Sequence, residues 1–173
     1  MRLMHYSELA LPFGPMDYVQ NELRAFGKPT GYWVSVQGED DWPTWCRENE
    51  FFLGGLTHAY EVTLAPDANI LTLTTPDDLK SFHSRHSVED APTMELRKMR
   101  SVSDEYVWKS RPIDWNTVAD LYDGIIIAPY QWPCRMKYDW YYGWDAASGC
   151  IWNLRAIAAV EARSELPAES PCS

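Results

Sequence analysis

"DWNTVADLYDGIIIAP", residues 114–129, holds the end of one kind of structure and the start of another. Asp114 suits a helix N-cap, where its carboxylate accepts from the free N–H groups of the first turn. Trp115, Val118, Ala119 and Tyr122 follow at i, i+3, i+4 and i+7, which places them on one helical face, and Gly124 suits the stop. The next residues, "GIIIAP", are apolar on both faces, and a strand with no polar side must be covered from both. A helix therefore feeds directly into a central strand.

Working outward, the strand "GCIWNL" (149–154) is followed by a helix expected at about 155–163 and a flexible tail at 164–173. Upstream, "RLMHYS" (2–7) alternates weakly as a first strand. From Pro15 the period changes: Met16, Val19, Leu23 and Phe26 share a helical face and Gly27 suits a C-terminal cap. "GYWVSV" (31–36) is aromatic and β-branched between two turn-rich stretches, as a short strand is punctuated. "WPTWCRENEFF" (42–52) reads as a short helix, and strands at 59–65 and 69–74 are broken by "PDAN", as a hairpin or as one kinked strand. Thr75, Pro76 and Asp78 form a capping-box signature, with Leu79 and Phe82 facing inward. Residues 83–110 are polar and charged, with Met94, Leu96 and Met99 the only periodic signal, and read as a partly helical excursion that covers a cleft or meets a partner. Elements mix without regular alternation, so the expected class is α+β with a split, mostly antiparallel mixed sheet and flanking helices, in one globular domain over 1–163.

Composition narrows the function. A chain of 173 residues fits one domain. A formal net charge of -10 repels a phosphate backbone, so nucleic acid is a disfavoured partner unless the cluster Arg97, Lys98 and Arg100 supplies a local basic track. No apolar run reaches the roughly 20 residues of a membrane span, and the N-terminus lacks a signal-peptide h-region. The four cysteines are scattered without a C-x-x-C pair, which points to reduced thiols and a cytoplasmic setting, with no disulfide framework or zinc ribbon. His83 and His86 form an H-x-x-H pair without a third ligand at suggestive spacing, so no metal is expected. Neither G-x-G-x-x-G, nor G-x-x-x-x-G-K-[ST], nor G-x-S-x-G occurs. Nine tryptophans and ten tyrosines exceed the needs of a core this size, and surplus rings often line ligand sites.

Three separated pieces remain: "MHYS" (4–7), "GYWVS" (31–35) and "WDAASGCIW" (144–152). Their order resembles the NAD-dependent ADP-ribosyltransferase fold, histidine-type branch, in which one strand contributes His or Arg, a second Tyr or Ser, and a late element an acid. The resemblance implies His5 in the first place, Tyr32 or Ser35 in the second, and "LYDGIIIAP" with "GCIWNLRAI" as the closing strands. It implies NAD as substrate, no metal, and transfer of ADP-ribose to a macromolecular acceptor, as effectors and toxins of that fold perform. At the usual acidic place stand Ser148, Gly149 or Cys150, so the acid is assigned to Asp145, with Asp139 and Glu61 as lesser candidates. Cleaving the nicotinamide–ribose bond passes through an oxocarbenium-like state, which calls for rings around the nicotinamide, a polar group on the ribose and a carboxylate near the cationic sugar. His5 holds the ribose or amide in this scheme, Tyr6, Trp33 and Trp144 line the ring site, and Ser35 bonds the nicotinamide edge or positions the acid.

Each residue has a plainer role available. A histidine on a strand is often a satisfied structural group, the tryptophans can be core, and Asp145 suits a turn. Two other functions follow from the same text: an NAD hydrolase on the same site, or an acidic interaction or inhibitor protein that docks through an aromatic surface. The acidic charge favours a protein acceptor over nucleic acid.

Overall fold

The computed structural model of the chain describes residues 1–10, 18–20, 27–99 and 101–163. The helix expected from Pro15 and the tail at 164–173 fall largely or wholly outside them. The fold is α+β. Among the described residues are seven strands, β1 (Leu3–Ser7), β2 (Tyr32–Val36), β3 (His58–Leu64), β4 (Ile70–Leu73), β5 (Gly124–Ile127), β6 (Ser148–Ile151) and β7 (Ile157–Arg163). Six helices accompany them: α1 (Trp42–Glu48), α2 (Pro76–His86), α3 (Ala91–Lys98), α4 (Asp104–Lys109), α5 (Trp115–Leu121) and α6 (Asp139–Tyr142).

All strands join one mixed sheet in the order β4-β5-β6-β2-β1-β3-β7. Only β4 and β5 run parallel; the other neighbours are antiparallel. A parallel pair needs a crossover, and α2 to α5 supply it. The sheet is continuous, but its β1–β2 seam is joined by two residue pairs, Leu3 opposite Val36 and Met4 opposite Ser35. β1 pairs with β3 along its whole length.

The apolar run of β5 divides between the two faces as strand geometry requires. Ile125 and Ile127 join a core with Leu79, Phe82, Trp115, Val118, Trp140 and Trp144, while Ile126 joins Val34, Val62, Ile151 and Ile157 on the other face. Helix starts follow their sequence signals: Thr75 and Asp78 close the capping box of α2, and Asp114 accepts from Thr117 N at the start of α5. Helix α5 ends at Leu121, one turn before Gly124, because β5 already begins at that glycine.

Two expectations are corrected. The strands around "PDAN" form neither a hairpin nor one kinked strand: β3 pairs with β1 and β7, whereas β4 lies at the far edge beside β5. The turn chemistry is real, but turn residues reverse a chain without fixing which neighbour it meets. Residues 157–163 form a strand, not a helix. Alanine favours helix weakly, and tertiary pairing overrides such a preference: β7 fills the open edge of β3, with Val62 opposite Val160 and Leu64 opposite Ile157. Glu61 accepts from Arg2 at 3.0 Å and pairs with Arg163 at 2.8 Å. Those pairs are water-exposed and screened, so backbone pairing and apolar contact select the strand.

Residues 83–110 contain α3 and α4 and are tied to the core. Val107 is buried, and His83, fully buried, donates from Nε2 to the Trp108 carbonyl at 2.8 Å. Its Nδ1 accepts from Trp140 Nε1 at 3.1 Å, so the neutral imidazole satisfies both nitrogens. His83 of the H-x-x-H pair is thus a structural group of the core. Among the described residues no group of three or more His, Cys, Asp or Glu is placed to hold a metal, and no helix is long and apolar enough to cross a membrane.

Burial lowers the His83 pKa to about 4. The unfolded chain binds this proton near pH 6.5, so stability present above that pH is lost as pH falls toward 4. Denaturant melts at pH 7 and pH 4.5 are expected to differ by up to about 3 kcal/mol from this group, and the loss should shrink in His83→Gln. An unchanged acid loss in that variant would remove the assignment.

Candidate functional site

The β1–β2 ladder stops after Met4 and Ser35, and His5 takes over where it stops. Its Nδ1 lies 2.8 Å from the carbonyl oxygen of Trp33. A carbonyl only accepts, so Nδ1 carries the hydrogen and the neutral ring keeps Nε2 as an acceptor. The imidazole stacks on Tyr32 with centroids 4.2 Å apart, and burial lowers its pKa below 6.5, opposed by the bond to Trp33. His5 is therefore neutral at pH 7.

A cavity of about 280 Å³ lies at this seam. Met4, His5 and Tyr6 of β1 line it, as do Trp33, Val34 and Ser35 of β2. Among the described residues Trp42 of α1, Lys28, Ser148 and the segment Trp144, Asp145 and Ala146 also line it. Of the residues expected at a site, His5, Tyr6, Trp33, Ser35, Trp144 and Asp145 therefore share one cavity, although they come from both ends of the chain. Tyr32 does not line it; it backs His5 by stacking. The reason they meet is the strand order, since β6, β2 and β1 are consecutive neighbours.

Most other rings of residues 138–153 are core, and Tyr142 is exposed. Tyr138, Trp140, Tyr141 and Trp152 are buried in the cluster beneath β5. Trp144 is the ring of this group that reaches the cavity, where it meets Trp33 edge-on at 5.0 Å. Its indole N–H has no hydrogen-bond partner among the described residues.

Polar groups in the wall are mostly held. Ser35 Oγ accepts from the backbone N–H of Trp42 at 2.9 Å, which ties α1 to β2. Ser148, opposite Ser35 across the strands, donates to the Ala146 carbonyl at 2.9 Å. Asp145 accepts from Arg135 at 2.9 Å, and Arg135 also donates to the Tyr130 hydroxyl at 3.3 Å. Tyr6 stays protonated, its pKa pushed up to about 12 by burial and then by Asp41. Asp139 accepts from Ser110 Oγ and Glu61 is tied to Arg2 and Arg163; neither lines the cavity. No described residue of 83–110 lines it either.

The sequence reading did not find Lys28, Trp42 or Arg135. The Lys28 ammonium lies 5.2 Å from the centre of the Trp33 ring. Burial lowers its pKa, against the pull of Asp145 and Cys150. Its stem passes over Gly143, where a Cβ would come within 2.9 Å of Lys28 Cε. The only sequence trace of this is a lysine just before the aromatic strand, beside a glycine far along the chain.

NMR of the imidazole nitrogens should show His5 as the Nδ1–H tautomer with a midpoint below 6.5. An Nε2–H tautomer would contradict the ladder-end bond, and a midpoint above 6.5 would contradict the burial of the ring. Comparison with family models, with curated proteins and with solved structures found no match, so the geometry of the cavity itself carries the functional argument.

Proposed function

We propose that this chain is an ADP-ribosyltransferase of the fold its sequence resembles, taking ADP-ribose from NAD to a macromolecular acceptor, with protein favoured. One observation carries the reading: His5, Tyr6, Trp33, Ser35, Trp144 and Asp145, drawn from three neighbouring strands and their approaches, line one cavity. Asp145 is also the one of the three acid candidates that lines it.

The chemistry assigned to each group follows from its state. The neutral His5 offers Nε2 to a ribose hydroxyl or carboxamide N–H. Tyr6, Trp33 and Trp42 provide apolar walls for a flat ring. When the bond from C1 of the ribose to nicotinamide breaks, its electron pair leaves with nicotinamide and positive charge develops on the sugar, facing Asp145. An acceptor heteroatom then bonds C1 and its proton passes to solvent. Lys28 is a cation for the diphosphate in a chain whose net charge is -10. A volume of about 280 Å³ lies at the low end of the roughly 300–1,000 Å³ of small-molecule sites, so the cavity takes the nicotinamide riboside end while the adenosine end lies across the rim.

A second reading has its own support. Asp145 is already paired with Arg135, and β6 begins with Ser148 where an acid would stand. A carboxylate so neutralised stabilises a cation less, and a cavity of this kind binds NAD without cleaving it.

Free nicotinamide, followed after NAD is added with and without cell lysate, separates these. Release that requires lysate is the expected result; release without acceptor indicates hydrolysis, and calorimetric binding without release indicates the second reading. His5→Ala and Asp145→Asn are expected to lower release by about 100-fold each, with melting profiles kept. Because the His5 pKa lies below 6.5, release should be flat above that pH and decline on acidification. Lys28→Met should raise KM for NAD about tenfold. Full activity in Asp145→Asn would remove it as the acid.

A further inference from the structure

Beside the cavity, residues 42–53 place large rings in water. Trp42 and Trp45 on α1 stack at 5.2 Å and 12°. Phe51 stands edge-on to both, at 6.2 Å from Trp42 and 5.5 Å from Trp45. Phe51, Phe52 and Leu53 are 52%, 53% and 51% exposed. Such a contiguous apolar surface marks an interaction site more often than a lone exposed leucine does.

The turn that presents these rings is specific. Glu50 and Phe52 have φ of 49° and 48°, a left-handed conformation costly to side chains with a Cβ. The Phe52 ring lies against Gly55, where any Cβ would come within 1.9 Å of it. The rings are thus held outward by a built turn.

Charge selects the occupant. Residues 37–53 contain five acids, Glu39, Asp40, Asp41, Glu48 and Glu50, against one base, Arg47. Asp41 caps α1 and Asp40 accepts from Trp132 Nε1, which leaves Glu39, Glu48 and Glu50 exposed and in no ion pair described for the chain. Flat rings ringed by carboxylates suit guanidinium and ammonium groups, by stacking and by charge. The same carboxylates repel a phosphate backbone.

We propose that this aromatic platform docks an arginine- and lysine-rich protein segment and thereby brings the acceptor to the cavity. The inference rests on the transferase reading for the acceptor role, and on the platform alone for the docking. Trp42 makes the link: its ring is part of the platform and of the cavity wall, and its backbone N–H is fixed on Ser35. A segment seated on Trp45 and Phe51 lies beside the site where C1 of the ribose would be attacked.

Fluorescence anisotropy with a short arginine- and lysine-rich peptide, its glutamate-substituted counterpart and a single-stranded oligonucleotide tests it. Trp45→Ala, Phe51→Ser and the double variant Glu48→Lys/Glu50→Lys are compared with the unaltered chain, each checked by thermal melting. The basic peptide should bind the unaltered chain, and each variant should weaken it about tenfold or more. The charge-reversal variant leaves the rings intact and decides the matter if a ring variant fails to fold. Equal binding across variants, tighter binding of the oligonucleotide, or a dimer of the unaltered chain that Phe51→Ser dissociates would each overturn the proposal. Nicotinamide release from NAD with lysate present is measured in parallel; if the unaltered chain releases none, the transferase reading fails while the anisotropy still decides the docking.

Discussion

A single hydrogen bond stands where the sheet stops being a sheet. Between β1 and β2 the ladder consists of two residue pairs, and past them the Trp33 carbonyl would face an open seam without a donor. An acceptor shielded from water without a partner is costly, and the His5 imidazole removes that cost. The cavity exists because this seam is capped by a side chain and not zipped by backbone. Everything assigned to the site depends on that arrangement, since it fixes the histidine tautomer, frees its second nitrogen and leaves Trp33 and Ser35 in the cavity wall.

Around the seam the structure divides labour between its rings. Trp140, Tyr141 and Trp115 fill the space between β5 and the helices, locked by the neutral His83. Trp33 and Trp144 sit at the boundary, each touching core on one side and cavity on the other. Trp42 and Trp45 are half-buried on α1, and Trp42 also lines the cavity. The surplus of aromatic residues is thus spread over three environments, with the core taking the most.

Much of this was legible in the amino-acid order and some was not, for physical reasons. Capping residues are local, so Asp114 and the Thr75–Asp78 pair announced their helices. The threefold isoleucine run announced a strand covered from both sides. Pairing partners are non-local: nothing in "PDAN" tells β3 from β4 as neighbours, and nothing in "AIAAVEAR" shows that β3 has an edge to fill. The site was legible to the extent that its residues are strand residues with fixed direction, as for His5, Trp33 and Ser35. Lys28 and Arg135 were hidden because their roles come from Gly143 and Asp145, which approach them only in the folded chain. For the rings of "YDWYYGWDAASGCIWN", residues 138–153, periodicity in a short helix and loop does not separate one facing the interior from one facing a cleft.

The outermost ribbon, β7, carries Glu161 and Arg163 among small alanines, and both charges are salt-bridged to each other at 3.0 Å. A foreign backbone seeking to extend the array would have to strip water from these charges and offer them nothing in return. Replacing Glu161 and Arg163 by apolar residues would remove that protection and leave the β7 edge a better template for a foreign strand.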